Sequence, residues 1–320
     1  MQFVTPRMKI CVLGGTGFLG TELVTRLAAA GHWVRVPTRV LSHGTHLTVL
    51  PTVELRAVDI HEPRVLGELL AGMDAVVNLV GILNERPGAR FKAVHVELVA
   101  KVIEEARLAR VRRLVHVSAL GADAARAPSR YLRSKGAAEA LVRGAAPLEC
   151  TLLRPSVIFG RGDSLTTRFV NLLRLSGGVL PLARADAKFT PVSVDDVAEA
   201  LVRALTDRAT SGRSYDLCGP EVFTLAQIVR AAAAAAHARC HILPLPGLLG
   251  WLEALVMGLV PGKPFSLDNF RSLGLDSVSR ENGLLELGIE PQRMAAVLPV
   301  YLGNRSLSAR LDRPRMNSER

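Results

Sequence analysis

Tyr131 and Lys135 stand four residues apart in a segment of helical pattern, Tyr131 to Arg143, so they share one helix face. A phenol ordinarily ionises at about pH 10. An ammonium beside it stabilises the phenolate and brings that value down. A tyrosine so placed exchanges a proton with a carbonyl or alcohol while a hydride passes to or from a nicotinamide. The lysine is also placed to hold the nicotinamide ribose. Ser118, 13 residues before Tyr131, ends the strand-like run Arg113-Leu114-Val115-His116-Val117 and offers a hydroxyl that can polarise a substrate oxygen. The Y-x-x-x-K pattern alone is a common accident, and it carries weight only in a chain that binds a nucleotide.

The start of the chain meets that condition. An apolar run, Ile10-Cys11-Val12-Leu13, leads into Gly14-Gly15-Thr16-Gly17-Phe18-Leu19-Gly20, then a helix-like segment from Glu22 to Ala30 and a second apolar run from Trp33 to Val36. Glycines let the backbone turn tightly and approach a pyrophosphate, which then sits at the positive helix N-terminus. The spacing is G-x-x-G-x-x-G, not the G-x-G-x-x-G of simple dehydrogenases, but its place inside a βαβ unit makes the signal strong. NAD sites place an acidic residue roughly 20 residues further on, to hold the adenosine ribose. From Gly31 to Val53 there is none, and the second strand ends Pro37-Thr38-Arg39. A guanidinium there suits a 2′-phosphate by charge and by bidentate geometry, so NADP(H) is favoured and NAD(H) is the alternative. Asp59 fits the end of a third strand, beside the adenine.

Strand and helix signals then alternate. Ala75 to Val80, Arg113 to Val117 and Cys150 to Leu153 read as buried strands, and Phe91 to Ala109 has helical periodicity. Continuous apolar runs separated by helices predict an α/β fold, a doubly wound parallel Rossmann sheet over residues 1–163. Beyond it, Leu165 to Leu175, Val194 to Thr206 and Thr224 to Ala236 predict a smaller, mostly helical C-terminal substrate lobe over 164–304, with parts of 188–220 packing back on the first domain. The tail, 305–320, is basic and expected to be disordered.

Hydrophobic residues are 49% and charged residues 22%, enough for a sizeable core; the net charge of +11 admits nucleic acid or an anionic membrane surface as partners. Aromatic residues are only 4% and no nucleic-acid motif is present, which argues against nucleic acid. The four cysteines lack metal-ligand or redox spacing and read as apolar residues of a reducing, cytoplasmic compartment. The first apolar run leads straight into the glycine turn and does not resemble a signal peptide.

With these segments in place, the chain resembles the extended or atypical short-chain dehydrogenases/reductases. The motifs are Gly14 to Gly20, Asp59, Asn78-Leu79-Val80-Gly81, Ser118, Tyr131 with Lys135, Arg154-Pro155-Ser156-Val157-Ile158-Phe159-Gly160, Pro191 to Ala198 and Tyr215 to Pro220. Val117 to Ala122, Ser129 to Lys135 and Ile158 to Asp163 resemble a narrower group, the nucleotide-binding accessory subunit 9 of the complex I alpha subcomplex and its bacterial relatives. The resemblance implies NADPH held by Gly14, Thr16, Gly17, Phe18, Leu19, Gly20, Arg39, Asp59, Ile60, Leu79, Val80, Gly81, Lys135, Pro155, Ser156 and Val157. It implies Tyr131, Lys135 and Ser118 as catalytic residues of an oxidoreductase or epimerase-like enzyme. For the complex I group it implies instead a structural or assembly role, in a respiratory or quinone-synthesis complex. Family members carry two or three hydroxyl residues after the fifth strand, whereas here Ala119 and Leu120 follow Ser118, so the position of the catalytic hydroxyl falls either on Ser118 or on an alanine.

His95 lies where related enzymes carry a helix asparagine, and a packed histidine is expected there. Asp195 or Asp196 is expected to cap the following helix. Arg161 and Arg168 are expected on the surface. Residues 247–260 carry one charge in fourteen residues. As a helix of about 21 Å they fall short of a hydrocarbon core of about 30 Å and do not span it. They read either as a buried helix or as an exposed one that meets a lipid-like substrate, a partner subunit or an anionic membrane, placing the protein peripherally on the inner face.

Overall fold

A computed structural model describes residues 7–259 and 265–303. The basic tail and Val260 therefore lie outside the described residues. In chain order the strands are β1 (Lys9–Leu13), β2 (Trp33–Thr38), β3 (Val53–Ala57), β4 (Ala75–Asn78), β5 (Arg113–Val117), β6 (Glu149–Pro155), β7 (Ile158–Phe159), β8 (Val179–Ala183), β9 (Lys188–Phe189), β10 (Val192–Ser193), β11 (Ser214–Leu217), β12 (Phe223–Thr224) and β13 (His241–Leu245). The α-helices are α1 (Phe18–Ala29), α2 (Pro63–Leu70), α3 (Leu98–Leu108), α4 (Arg130–Arg143), α5 (Leu165–Leu175), α6 (Val194–Thr206), α7 (Leu225–Ala235), α8 (Gly247–Leu259), α9 (Leu267–Ser272), α10 (Gly283–Glu286) and α11 (Met294–Leu302).

Seven strands form one sheet in the order β11-β6-β5-β4-β1-β2-β3, every neighbouring pair parallel. A sheet covered on both faces needs apolar residues at successive positions, and β1, β4 and β5 supply them. Ile10, Val12, Val115, Leu23 and Val197 fill the layer beneath α1 and α6. Cys11, Leu13, Val76, Leu66, Val102 and Ala138 fill the layer beneath α2, α3 and α4. The strand order reverses between β1 and β4, and the crevice at that reversal, beyond the strands' carboxyl ends, is where ligands enter such sheets.

Parts of the chain after residue 163 return to the main sheet. β11 is an edge strand of the main sheet, and α6 packs on α1. The rest gathers around its own apolar residues: Leu173 of α5 and Val229 and Ala233 of α7 pack with Leu180 and Leu182 of β8. β13 pairs in parallel with β8, and α8 and α9 lie against this unit. Tyr301 of α11 donates its hydroxyl hydrogen to buried Asp163 at 2.8 Å, tying the end of the described chain to the loop after β7.

Some boundaries differ from those the sequence predicts. The strand expected to reach Val80 stops at Asn78, whose Oδ1 accepts the Val80 N–H at 3.1 Å and turns the chain. The stretch expected to be one helix from Phe91 opens with a π-helical segment, Lys92–Glu97, before α3. The cap of α6 is neither aspartate. Ser193 accepts the Asp195 N–H at 3.2 Å, while Asp195 pairs with Arg26 at 2.8 Å and Asp196 accepts from Gln292 N and Nε2, both at 2.8 Å. A small hydroxyl at the last extended position reaches the first free N–H, and the carboxylates are left for cross-element contacts.

Candidate functional site

The glycine turn lies at the reversal of the sheet. A Cβ at Gly14, where φ is +82°, would stand 3.3 Å from the carbonyl carbon of Leu79 and the nitrogen of Val80, so the turn passes hard against the loop after β4. A Cβ at Gly20 would stand 2.2 Å from the Gly14 oxygen, which only a glycine permits. α1 begins after Gly17 with no side-chain cap and no acidic residue in its first turn. Its first N–H groups and its positive end are thus left for an anion, which fits the pyrophosphate of a dinucleotide.

The second half of the site is built around α4. Ser129 caps it, accepting the Leu132 N–H at 3.1 Å. Asp268 of α9 reaches the same end, its two carboxylate oxygens accepting the N–H groups of Arg130 at 2.8 Å and Tyr131 at 3.0 Å. One turn on, Lys135 is buried, and its Nζ donates to the Val117 carbonyl at 2.8 Å. That bond sets the ammonium at the end of β5, next to Ser118. The Ser118 hydroxyl is buried, and its oxygen has no hydrogen-bond partner among the described residues. An orphaned polar atom at this point fits a ligand oxygen.

Charges here are set mainly by burial. Burial pulls Lys135 down to about 8, with Glu139 opposing it. Burial pushes the Tyr131 phenol up to about 12. The direction is opposite to the one expected from a lysine neighbour, because desolvation of the phenolate governs and the ammonium is directed to a carbonyl.

His95 is buried, as expected of a packed histidine, yet its contacts are specific. Its Nε2 accepts the Ile82 N–H at 3.0 Å, so its Nδ1 carries the hydrogen and donates to Ser134 Oγ at 2.8 Å. Ser134 in turn donates to the Tyr131 carbonyl at 2.6 Å. The imidazole thereby links the loop after Gly81 to α4. Its ring stacks on Phe91 at 5.5 Å and stands edge-on to Tyr131 at 5.6 Å. Burial, with the Lys135 charge added, holds it down at about 3, so it is a neutral imidazole at ordinary pH.

Other expected residues spread around the same edge. Arg39 follows β2 and is exposed, as is Asp59 beyond β3, whose Oδ1 accepts the His61 N–H at 3.0 Å. Leu79, Val80 and Gly81 form the loop after β4, and a Cβ at Gly81 would come within 3.8 Å of Lys135 Nζ. Ser156 is engaged internally, donating to the Ser277 carbonyl at 2.8 Å and accepting from Thr190 N at 3.3 Å. Arg161 is exposed. Among the described residues no group of side chains has the makings of a metal site. Three contributors were not singled out from the sequence: Asp268, Ser134 and Phe91. No local signal marks Asp268, which lies 137 residues from Tyr131.

Residues 10–218 match the NAD dependent epimerase/dehydratase family. The chain belongs to this family. Among curated proteins it is 35% identical over 219 residues to NADH dehydrogenase [ubiquinone] 1 alpha subcomplex subunit 9, mitochondrial, of Arabidopsis thaliana, covering 67% of this chain and 54% of that protein. The chain thus spans about half the length of that relative. It is 32% identical over 247 residues to ceramide reductase of Caulobacter vibrioides, covering 76% of each. Among solved structures, DesIV (dTDP-glucose 4,6-dehydratase) from Streptomyces venezuelae, with NAD and TYD bound, superposes with a TM-score of 0.72 at 21% identity, over 92% of this chain and 96% of that one. At that identity the likeness concerns the fold. Family membership and the open α1 terminus together support a nicotinamide dinucleotide as cofactor. No described helix is long and apolar enough to cross a membrane.

Proposed function

We propose that this epimerase/dehydratase-family protein is an NADP(H)-dependent oxidoreductase in which Tyr131 supplies or takes the proton. The observation that carries the reading is Lys135, one turn after Tyr131 on α4, donating to the Val117 carbonyl beside the buried, unpartnered Ser118 hydroxyl. When bound, the nicotinamide supplies or accepts the hydride. Ser118 Oγ orients the substrate oxygen. Tyr131 Oη holds the proton for that oxygen, and its raised affinity for a proton suits the acid role, in reduction of a carbonyl. Lys135 holds the nicotinamide ribose, and Gly14 to Gly20 hold the pyrophosphate. Asp59 and Ile60 flank the adenine, and Leu79 to Gly81 and Pro155 to Val157 border the ribose and nicotinamide. Arg39 takes the 2′-phosphate, which selects NADP(H) over NAD(H). An epimerase-like reaction, oxidation and re-reduction of one carbon, uses the same groups. The protein works in a reducing, cytoplasmic compartment and meets the inner face of a membrane through α8.

NADPH consumption against a panel of carbonyl compounds, with Tyr131→Phe alongside, tests this. The variant keeps the ring and loses only the proton donor, so turnover falls by about 100- to 10,000-fold while NADPH binding is retained. Full activity in Tyr131→Phe removes the assignment. A second reading is a non-catalytic, NADPH-holding subunit or assembly factor of a respiratory or quinone-synthesis complex. The name of the Arabidopsis relative and the Lys135 ammonium's engagement with a carbonyl favour it. Tight NADPH binding without hydride transfer to any carbonyl or quinone selects that reading.

A further inference from the structure

α8 is apolar on both sides. One side is buried through Ala254 and Gly250, where a Cβ would stand 2.9 Å from Ala183 and 3.1 Å from the Phe270 ring. The other presents Leu248, Leu249, Trp251, Leu252, Leu255 and Val256 to solvent, with Leu248 79% and Trp251 43% exposed. Six large apolar side chains on one helix form a contiguous patch of the kind that marks an interaction surface. The helix's one ionisable residue, Glu253, is partly buried with its Oε2 out of solvent, so the six exposed side chains are all apolar. Exposed cations stand on the elements that α8 packs against: Arg184, after β8 and over the Phe270 ring at 4.6 Å, and Arg271 of α9. An apolar face with a tryptophan, with exposed arginines on the neighbouring elements and in a chain of net charge +11, matches an anionic bilayer surface in both hydrophobicity and charge.

The patch continues inward. A cavity of about 250 Å³ lies between α8, α9 and the start of α4. Leu255 belongs both to the exposed face and to the cavity wall, with Ala254, Leu267 and Phe91 completing the apolar lining. The Phe91 ring stands edge-on to Tyr131 at 5.9 Å. Leu255 and Phe91 thus set one apolar wall of the cavity between the outside of α8 and the ring of Tyr131, beside the polar groups Asn84 and Ser266. The cavity's charged groups exclude the obvious alternative. Arg130 is held by Glu85 at 3.0 Å, and Asp268 stands in the same wall. A nucleoside diphosphate entering here would set its phosphates beside two carboxylates, with its one nearby guanidinium already paired.

Taking the oxidoreductase reading as given, we propose that the substrate is an amphiphile, a carbonyl carried on a long apolar chain, which α8 draws from an anionic bilayer into the cavity beside Tyr131. The reaction is the one already described: hydride to the carbonyl carbon, proton to its oxygen, with NADPH as the reductant.

Two measurements on the described protein test it. In the first, NADPH consumption is followed with a series of straight-chain 2-ketones of increasing length. Each buried methylene is worth about three- to fourfold in kcat/KM until the cavity is filled. Gly258→Leu, in the cavity wall, shortens the chain at which the gain stops. In the second, the protein is floated with vesicles of phosphatidylglycerol and phosphatidylcholine. It rises with the anionic vesicles at low salt, and Trp251→Glu and Leu252→Glu weaken that by at least tenfold in partitioning. Tyr131-dependent reduction of short ketones with no gain from added chain overturns the proposal and leaves the oxidoreductase reading standing. Absence of turnover with every ketone removes that reading and the amphiphile with it. Failure to float with anionic vesicles overturns the bilayer as the source and leaves α8 as a surface for a protein partner.

Discussion

α1 and α4 both begin at the carboxyl edge of the sheet, and their first turns are finished in opposite ways. α1 starts on a glycine, with no side-chain cap and no acid in its first turn. α4 starts on a capping serine, and a carboxylate from α9, distant in sequence, takes two more of its N–H groups. The two helices offer the same positive end. At α1 that end is left for a ligand's anion. At α4 it is filled by the protein's own Asp268, which fastens the C-terminal third to the helix that carries Tyr131. Equal backbone electrostatics thus serve binding at one place and assembly at the other, and the difference rests on a few side chains.

The largest effect is expected from making α1 resemble α4. Gly17 has an extended backbone, φ −79° and ψ 179°, so another residue can adopt it. Gly17→Asp places a carboxylate where the pyrophosphate belongs. A like charge about 5 Å away at an effective dielectric of about 20 costs about 3 kcal/mol, or about two decades in dinucleotide affinity. Calorimetric titration with NADPH measures it, while the melting temperature holds or rises because the helix gains a cap. Undiminished affinity would show that the open terminus is not the anion site.

The next effect sharpens which dinucleotide the open end serves. If Arg39 takes the 2′-phosphate as proposed, Arg39→Glu removes a charge-assisted contact, a loss of about 1.5–3 kcal/mol for NADPH, and offers a ribose acceptor to NADH. The preference for NADPH, one to two decades by this estimate, is erased or reversed. Equal affinity of the unmodified protein for both nucleotides sinks the assignment.

What was legible in the sequence follows from how far each contact reaches along the chain. Gly14 to Gly20, the buried strands and the Tyr131/Lys135 spacing are local patterns, and the parallel sheet and family follow from them. The closure of α4 by Asp268 is not local, and nothing near residue 268 announces it. Nor does the sequence mark the π-helical turn that carries His95, because its residue types are those of an ordinary helix. The direction of the Tyr131 shift is hidden from the sequence for a related reason. Sequence spacing shows that a lysine is near, but not that the site is desolvated or that the ammonium turns to Val117. The exposure of α8 was one of two alternatives, since a helix apolar all round looks alike from sequence whether one side or both are covered.

His95 offers a smaller test, on the bond between the loop after Gly81 and α4. Its folded value, about 3, lies below the ordinary imidazole value of about 6.5. Between those limits the unfolded chain binds a proton that the folded protein refuses. Stability therefore rises with pH across that window and is lost on acidification, by at most about 1.4 kcal/mol per pH unit from this residue. His116, pulled well below its ordinary value by burial, adds the same sign. Urea unfolding at several pH values between 4 and 6 is expected to show a shallower acid slope in His95→Asn than in the unmodified protein (range set by the window above). An unchanged slope would mean that His95 is protonated at no cost in the folded state.

The smallest effect is expected from opening α4. Asp268→Ala leaves the Arg130 and Tyr131 N–H groups without their acceptors while Ser129 still caps Leu132. Loss of a cap costs roughly 0.5–2 kcal/mol, and the lower half of that range applies where water can replace the acceptor. Arg130 is exposed and its N–H can turn to water, but the Tyr131 end is partly buried, so about 1 kcal/mol is expected from denaturant unfolding. Asp268→Asn keeps one acceptor oxygen and loses the charge that opposes the helix dipole, so it should fall between the two proteins. The graded order distinguishes an electrostatic closure from mere packing, since asparagine fills the same space as aspartate at this partly buried position. If Asp268→Asn is as destabilised as Asp268→Ala, the charge carries the whole effect; if neither is destabilised, α9 does not close α4, and the contrast between the two helix starts reduces to the cap at Ser129.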